Sequence, residues 1–129
     1  MSTLAAIPQA APGPASPLVL LVVVEDGLNR FYQMVLTRAG YRCDRVRSPQ
    51  ELWASPPERL QAAHGVLVDH TADTLATLAE IRRRHPGVGT RVLSGYAPSP
   101  ELVRTLMLPL PSGELTLAVA ELVAEFRPV

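Results

Sequence analysis

The chain has 129 residues, 47% of them hydrophobic, and a formal net charge of zero, enough for one domain with a sizeable core. No basic excess is available for nucleic acid or an anionic membrane surface, and no lysine occurs: all twelve cationic side chains are arginine. The single cysteine, Cys43, excludes an internal disulfide and is a poor basis for a metal site. It falls in a predicted strand and reads as a small buried thiol.

Residues 1–17 are rich in Pro, Ala, Ser and Gly, a composition that cannot bury a core, so a flexible or polyproline-like tail is expected there, ahead of a domain over 18–127. Residues 18–24 are seven apolar residues without a break, mostly β-branched, which reads as a strand buried on both faces of a parallel sheet. The run is too short to span a bilayer. With no basic segment before it and Glu25-Asp26 directly after, it is a poor signal peptide. A cytoplasmic protein with no membrane partner is expected.

Leu28, Phe31, Tyr32, Val35, Leu36 and Ala39 then recur at helical spacing as one apolar face, closed by Gly40 in the position that favours a left-handed residue. Residues 41–46 form a more polar strand, expected at a sheet edge. Ser48-Pro49-Gln50-Glu51 is a capping box with proline at the first helical position, and Ser55-Pro56-Pro57 interrupts the helix it opens; a helical remnant over 58–63 is expected. Trp53 reads as a packing residue of that interrupted helix. Residues 65–69 form a third strand ending in Asp69. Leu75, Leu78, Ala79 and Arg82 trace a helix whose end, Arg82-Arg83-Arg84-His85, reads as a solvated cationic turn against the negative end of the helix dipole. Residues 90–93 form a fourth strand followed by Ser94-Gly95, residues 103–108 a fifth, and Ser112 caps a last helix with Leu115, Ala118, Val119, Leu122, Val123 and Phe126 on its apolar face. Strands alternating with helices imply a parallel sheet with right-handed crossovers.

Three strands thus end in Glu25/Asp26, Asp69 and Ser94, and in a parallel α/β sheet such ends gather at one edge, where ligands bind. Adjacent carboxylates there repel phosphates and attract a hard divalent cation such as Mg²⁺. From about residue 18 to 126 the chain resembles the receiver domain of two-component response regulators. The resemblance is carried by Val-Val-Val-Glu-Asp, Ala-Gly-Tyr-Arg-Cys, Val-Leu-Val-Asp, Val-Leu-Ser-Gly-Tyr-Ala and Leu-Pro-Leu-Pro-Ser-Gly-Glu-Leu in that order. It implies an α/β fold, a doubly wound five-stranded parallel sheet in the flavodoxin-like order 2-1-3-4-5. It also implies that Asp69 is a phosphoacceptor, served by a sensor histidine kinase or phosphotransfer protein, and that Ser94 bonds a phosphoryl oxygen. Mg²⁺ would be held by Glu25, Asp26, Asp69 and the backbone carbonyl of Thr71. Any catalysis would be confined to phosphorylation and dephosphorylation of Asp69.

The chain departs from the family pattern in four places. The loop after Asp69 is shorter, with Asp73-Thr74 where Asp-Gly is usual, and Thr105 stands where an aromatic is usual. The lysine usual before a proline at the end of strand five is Leu108, before Pro109. The thirteen residues 95–107 are too few for a loop, a full fourth helix (the one between strands four and five) and a strand, so that helix is expected to be shortened or missing. Apolar residues on both faces of strand five then call for a cover. A second copy of the chain, most simply a homodimer through that strand, or a partner is expected, with the Pro-rich segment 97–102 folding back as a lid as the alternative. The alternative function is a degenerate receiver that docks or dimerises without phosphate. A flavin-phosphate binder is disfavoured by the two carboxylates after strand one. A dehalogenase-type phosphatase is disfavoured by Thr71, where a second Asp is wanted. His70 reads as an exposed loop residue.

Overall fold

The computed structural model describes residues 15–69, 71, 73–94, 105–107 and 112–127. Five strands, β1 (Leu18–Val22), β2 (Arg42–Val46), β3 (Gly65–Asp69), β4 (Gly89–Ser94) and β5 (Thr105–Met107), form one parallel sheet in the order β2-β1-β3-β4-β5. The expected doubly wound order is therefore observed, with polar β2 at one edge and β5 at the other. Among the described residues there are five helices: α1 (Asp26–Arg38), α2 (Pro49–Ala54), α3 (Pro57–Gln61), α4 (Thr74–Arg84) and α5 (Ser112–Ala124). Residues 95–104, where the shortened helix is expected, and the ends of the expected fifth strand at 103–104 and 108 lie outside the described residues, as do 1–14 of the expected tail.

Alternation along the buried strands sends odd and even residues to opposite faces. Val19, Leu21, Leu67 and Leu93 meet Tyr32 and Leu36 of α1 and Leu115, Val119 and Leu122 of α5. Leu20, Val22, Val66 and Val68 meet Leu52 of α2, Leu60 of α3 and Ile81 of α4. Cys43 packs partly buried against the first cluster, and burial pushes its thiol up to about 11. Trp53 packs against the second, as expected.

Local chemistry sets the helix ends. The α1 C-terminus is a complete Schellman turn: Gly40 takes φ 98°, its N–H reaches Thr37 O at 3.0 Å and the Tyr41 N–H reaches Leu36 O at 3.0 Å. Ser48 Oγ accepts from the Glu51 N–H at 3.2 Å, and the Glu51 carboxylate returns to the Arg47 N–H at 3.1 Å. Gly65 lets α5 press on the sheet, since a Cβ there would stand 2.9 Å from Leu122 Cγ.

Four expectations need correction. β1 ends at Val22, not Val24, because the strand leaves the sheet for the carboxylates: Val24 is 55% exposed. The inner face of α1 is Asn29, Tyr32 and Leu36, and Leu28 and Phe31 lie on its exposed flank. On α4 the buried residues are Thr74, Thr77 and Ile81, whereas Leu75, Ala79 and Arg82 are exposed. Threonine methyls supply apolar surface there that a count of aliphatic residues misses. The end of α4 is only partly a solvated cationic turn: Arg83 and Arg84 pair with Glu80, but Arg84 also stacks 4.7 Å over the Trp53 ring, and His85 is buried with Nε2 3.0 Å from Ala63 O. Phe126 lies past the end of α5, tilted against His64 at 4.8 Å and edge-on to His85 at 5.9 Å.

Candidate functional site

The carboxyl ends of β1 and β3 lie side by side, Val22 opposite Val68, so Glu25, Asp26 and Asp69 share one edge of the sheet. Each carboxylate has its own partner. Asp69 Oδ2 accepts from the Val24 N–H at 2.8 Å, a bond spanning the two strand ends. Glu25 is the N-cap of α1: its two oxygens accept from the Gly27 N–H at 3.0 Å and the Leu28 N–H at 2.9 Å, which satisfies helix donors that have no partner within the helix. Asp26 turns outward to Arg45 of β2, whose Nη2 lies 2.5 Å from Asp26 Oδ1 and 3.1 Å from Val24 O.

The electrostatics divide accordingly. The hydrogen bond and charge of Arg45 hold the Asp26 carboxyl below the usual carboxylate range. Burial and the Glu25 charge raise that of Asp69 against the opposing pull of the Val24 N–H. Tyr32, on the buried face of α1, is pushed up to about 12 by burial and then by the charges of Asp69 and Glu25. Its hydroxyl has no partner among the described residues. Burial is the larger cause of both shifts, and the neighbouring carboxylates add to it.

Thr71 and Thr74 shape the loop after β3. The Thr74 hydroxyl accepts from the Thr71 N–H at 2.6 Å and donates to Asp69 O at 2.9 Å, and the Thr74 N–H donates to Thr71 O at 3.2 Å. The Thr71 carbonyl expected to hold metal thus already accepts one hydrogen bond, with a second lone pair left over. Ser94 is the last residue of β4, one step beyond Leu93, the strand neighbour of Asp69. His70 and Leu108 lie outside the described residues.

The donors are of the kind a hard dication takes: carboxylate and carbonyl oxygens near one sheet edge. Their orientation does not assemble them around one point. Among the described residues no three carboxylate, imidazole or thiol groups converge closely enough to hold an ion, because Glu25 faces the α1 N-terminus and Asp26 faces Arg45. Two residues escaped the sequence reading. Thr74 carries the weak signal of a hydroxyl residue opening a helix after a strand-end acid. Arg45 carries none, because alternation in β2 does not say which end of the sheet an arginine reaches.

Away from this edge, a cavity of about 310 Å³ lies between α2, α3 and the end of α4, lined among others by Trp53, Pro56, Pro57 and Arg84; none of the strand-end acids lines it.

No family model matches the chain, and no curated protein matches it. Solved structures do. A response regulator receiver domain protein (CheY-like) from Methanospirillum hungatei is 17% identical, with TM-score 0.73 over 86% of this chain and 96% of that one. A response regulator receiver protein from Sinorhizobium medicae is 22% identical, with TM-score 0.71 over 87% and 98%. A putative pilus assembly-related protein from Burkholderia pseudomallei is 19% identical, with TM-score 0.74 over 92% and 97%. The fold is that of response-regulator receiver domains. Among the described residues no helix is long and apolar enough to cross a membrane.

Proposed function

We propose that this chain is a signal-transduction receiver module in which Asp69 accepts a phosphoryl group from a phosphohistidine on a sensor kinase or phosphotransfer protein, and which relays that change through protein contacts. The observation that carries this reading is the place of Asp69: at the carboxyl end of the central strand β3, bonded across to β1 beside Glu25 and Asp26. An Asp69 oxygen attacks phosphorus, the bond from phosphorus to the imidazole nitrogen breaks, and an acyl phosphate forms. The Val24 N–H holds the carboxylate in place, and the Thr71–Thr74 loop holds the backbone behind it. Ser94 is assigned to a phosphoryl oxygen. Glu25, Asp26, Asp69 and the Thr71 carbonyl would hold Mg²⁺, which when bound neutralises charge on the transferring group.

One set of observations favours a second reading, a docking module that needs no phosphate: no three acids converge among the described residues, and Leu108 stands where receivers carry lysine. Leu108→Lys separates the two. A cation restored to a site where charge develops should raise the rate of phosphorylation by a small phosphodonor, or prolong the phospho-form. A chain that gains no phosphoryl mass in either form supports the docking module. Homodimerisation belongs to both readings, since β5 is a sheet edge and so a template for pairing. Light scattering should show a dimer that Leu106→Glu dissociates, and a monomer at all concentrations would remove this element.

A further inference from the structure

Arg45 has no role in the chemistry above, yet it touches the site at two points. Its side chain is largely buried, 18% exposed, and one nitrogen serves both Asp26 Oδ1 at 2.5 Å and Val24 O at 3.1 Å. Val24 is the residue whose N–H holds Asp69. Parallel pairing fixes this placement: Arg45 lies opposite Leu21, one step before the last paired residues of β1 and β2, and faces the side of the sheet that carries α1. The guanidinium therefore supplies Asp26 with the positive charge that a bound dication would supply, and it turns that carboxylate away from Asp69. The other acids show the same division of partners, with Glu25 held by α1 and Asp69 by Val24.

We propose that Arg45 is an internal counter-cation that holds Asp26 outside the pocket and must be displaced before a divalent cation enters, so that Arg45 sets the metal affinity of the site. The inference rests on the receiver reading, because it assumes that the strand-end acids take a hard dication. Asp26 is 73% exposed, so it can swing from Arg45 toward the pocket with little loss of packing. An ion pair with one largely exposed partner is worth up to about 1 kcal/mol, roughly a factor of two to five in an equilibrium, which sets the expected effect.

The test is Mn²⁺ binding followed by electron paramagnetic resonance on the whole chain, wild type against Arg45→Gln and Arg47→Gln. Arg47 is the charge control: it is exposed, two residues away, and its backbone N–H is bonded to Glu51. Release of Asp26 predicts that Arg45→Gln tightens Mn²⁺ binding about two- to fivefold. Arg47→Gln should change it less than about twofold, the size of a screened surface charge. Equal effects of the two variants, or weaker binding by Arg45→Gln, overturn the role of Arg45 and leave the receiver reading standing. No Mn²⁺ bound by any of the three at millimolar concentration overturns both. Circular dichroism melts confirm that each variant is folded, and Arg45→Met provides the same charge removal with the buried stem retained should the glutamine variant unfold.

Discussion

Replacing Asp69 with Asn should stabilise the metal-free protein. Burial and the charge of Glu25 both disfavour the ionised carboxylate, and only the Val24 N–H favours it. Asparagine keeps an oxygen for that N–H at the same position and removes the charge. Each unit by which the folded pKa exceeds the unfolded one costs about 1.4 kcal/mol of stability at neutral pH. Water reaches part of this side chain and screens the penalty, so the gain should be about 1 kcal/mol, or roughly 3–6 °C in Tm for a domain of this size. The pH dependence follows from the sign of the shift. With a raised folded pKa, the native state binds more protons than the unfolded state between the two values. The Asp69 contribution to wild-type stability therefore falls as pH rises from about 4 through the folded pKa, and the variant lacks that contribution. Urea titrations in chelator should show the two proteins converging toward about pH 3 and separated at pH 7. A variant less stable than wild type at pH 7, or a gap independent of pH, would refute the reasoning.

Glu125→Gln should cost about 2 kcal/mol in urea unfolding, because Arg91, 8% exposed, loses a carboxylate that it meets at 2.6 and 3.1 Å while part of the pair stays hydrated; an unchanged midpoint would count against this. Gly65→Ala should cost about 1–3 kcal/mol, since the new methyl must displace Leu122, and Gly65→Ala combined with Leu122→Val should recover part of the loss. Glu80, bonded by Arg83 and Arg84, should titrate at about 2 by carboxyl NMR. Its contribution is present above the unfolded value near 4.5 and lost as pH falls toward about 2; with both arginines changed to Gln the midpoint should return toward 4.5.

The sheet was legible because β1 and β3 are unbroken apolar runs bounded by turn chemistry, and the helix ends were legible where caps are local: Ser48 to Glu51, Gly40 after α1. What failed was rotation about a helix axis. In α1 the apolar stripe is wider than the buried one, so periodicity could not say whether Leu28 or Asn29 turns inward. In α4 two threonines are buried beside Ile81, and one also ties Asp69 to its loop. His85 looked solvent-exposed by its neighbours but is buried beside Phe126, a contact forty-one positions away. At the site, the sequence placed the acids at one sheet edge but not their partners. The pairing of Asp26 with Arg45 joins a helix start to an edge strand and depends on strand register, which local pattern does not encode.

The central claim is that Asp69 accepts a phosphoryl group. Wild type and Asp69→Asn should be incubated with Mg²⁺ and a small phosphodonor, and intact masses followed over time. Wild type should gain the mass of one phosphoryl group and lose it on treatment with hydroxylamine, as an acyl phosphate does, while Asp69→Asn gains nothing. Equal labelling of both proteins, or no labelling of wild type with any donor or phosphohistidine protein, would contradict it.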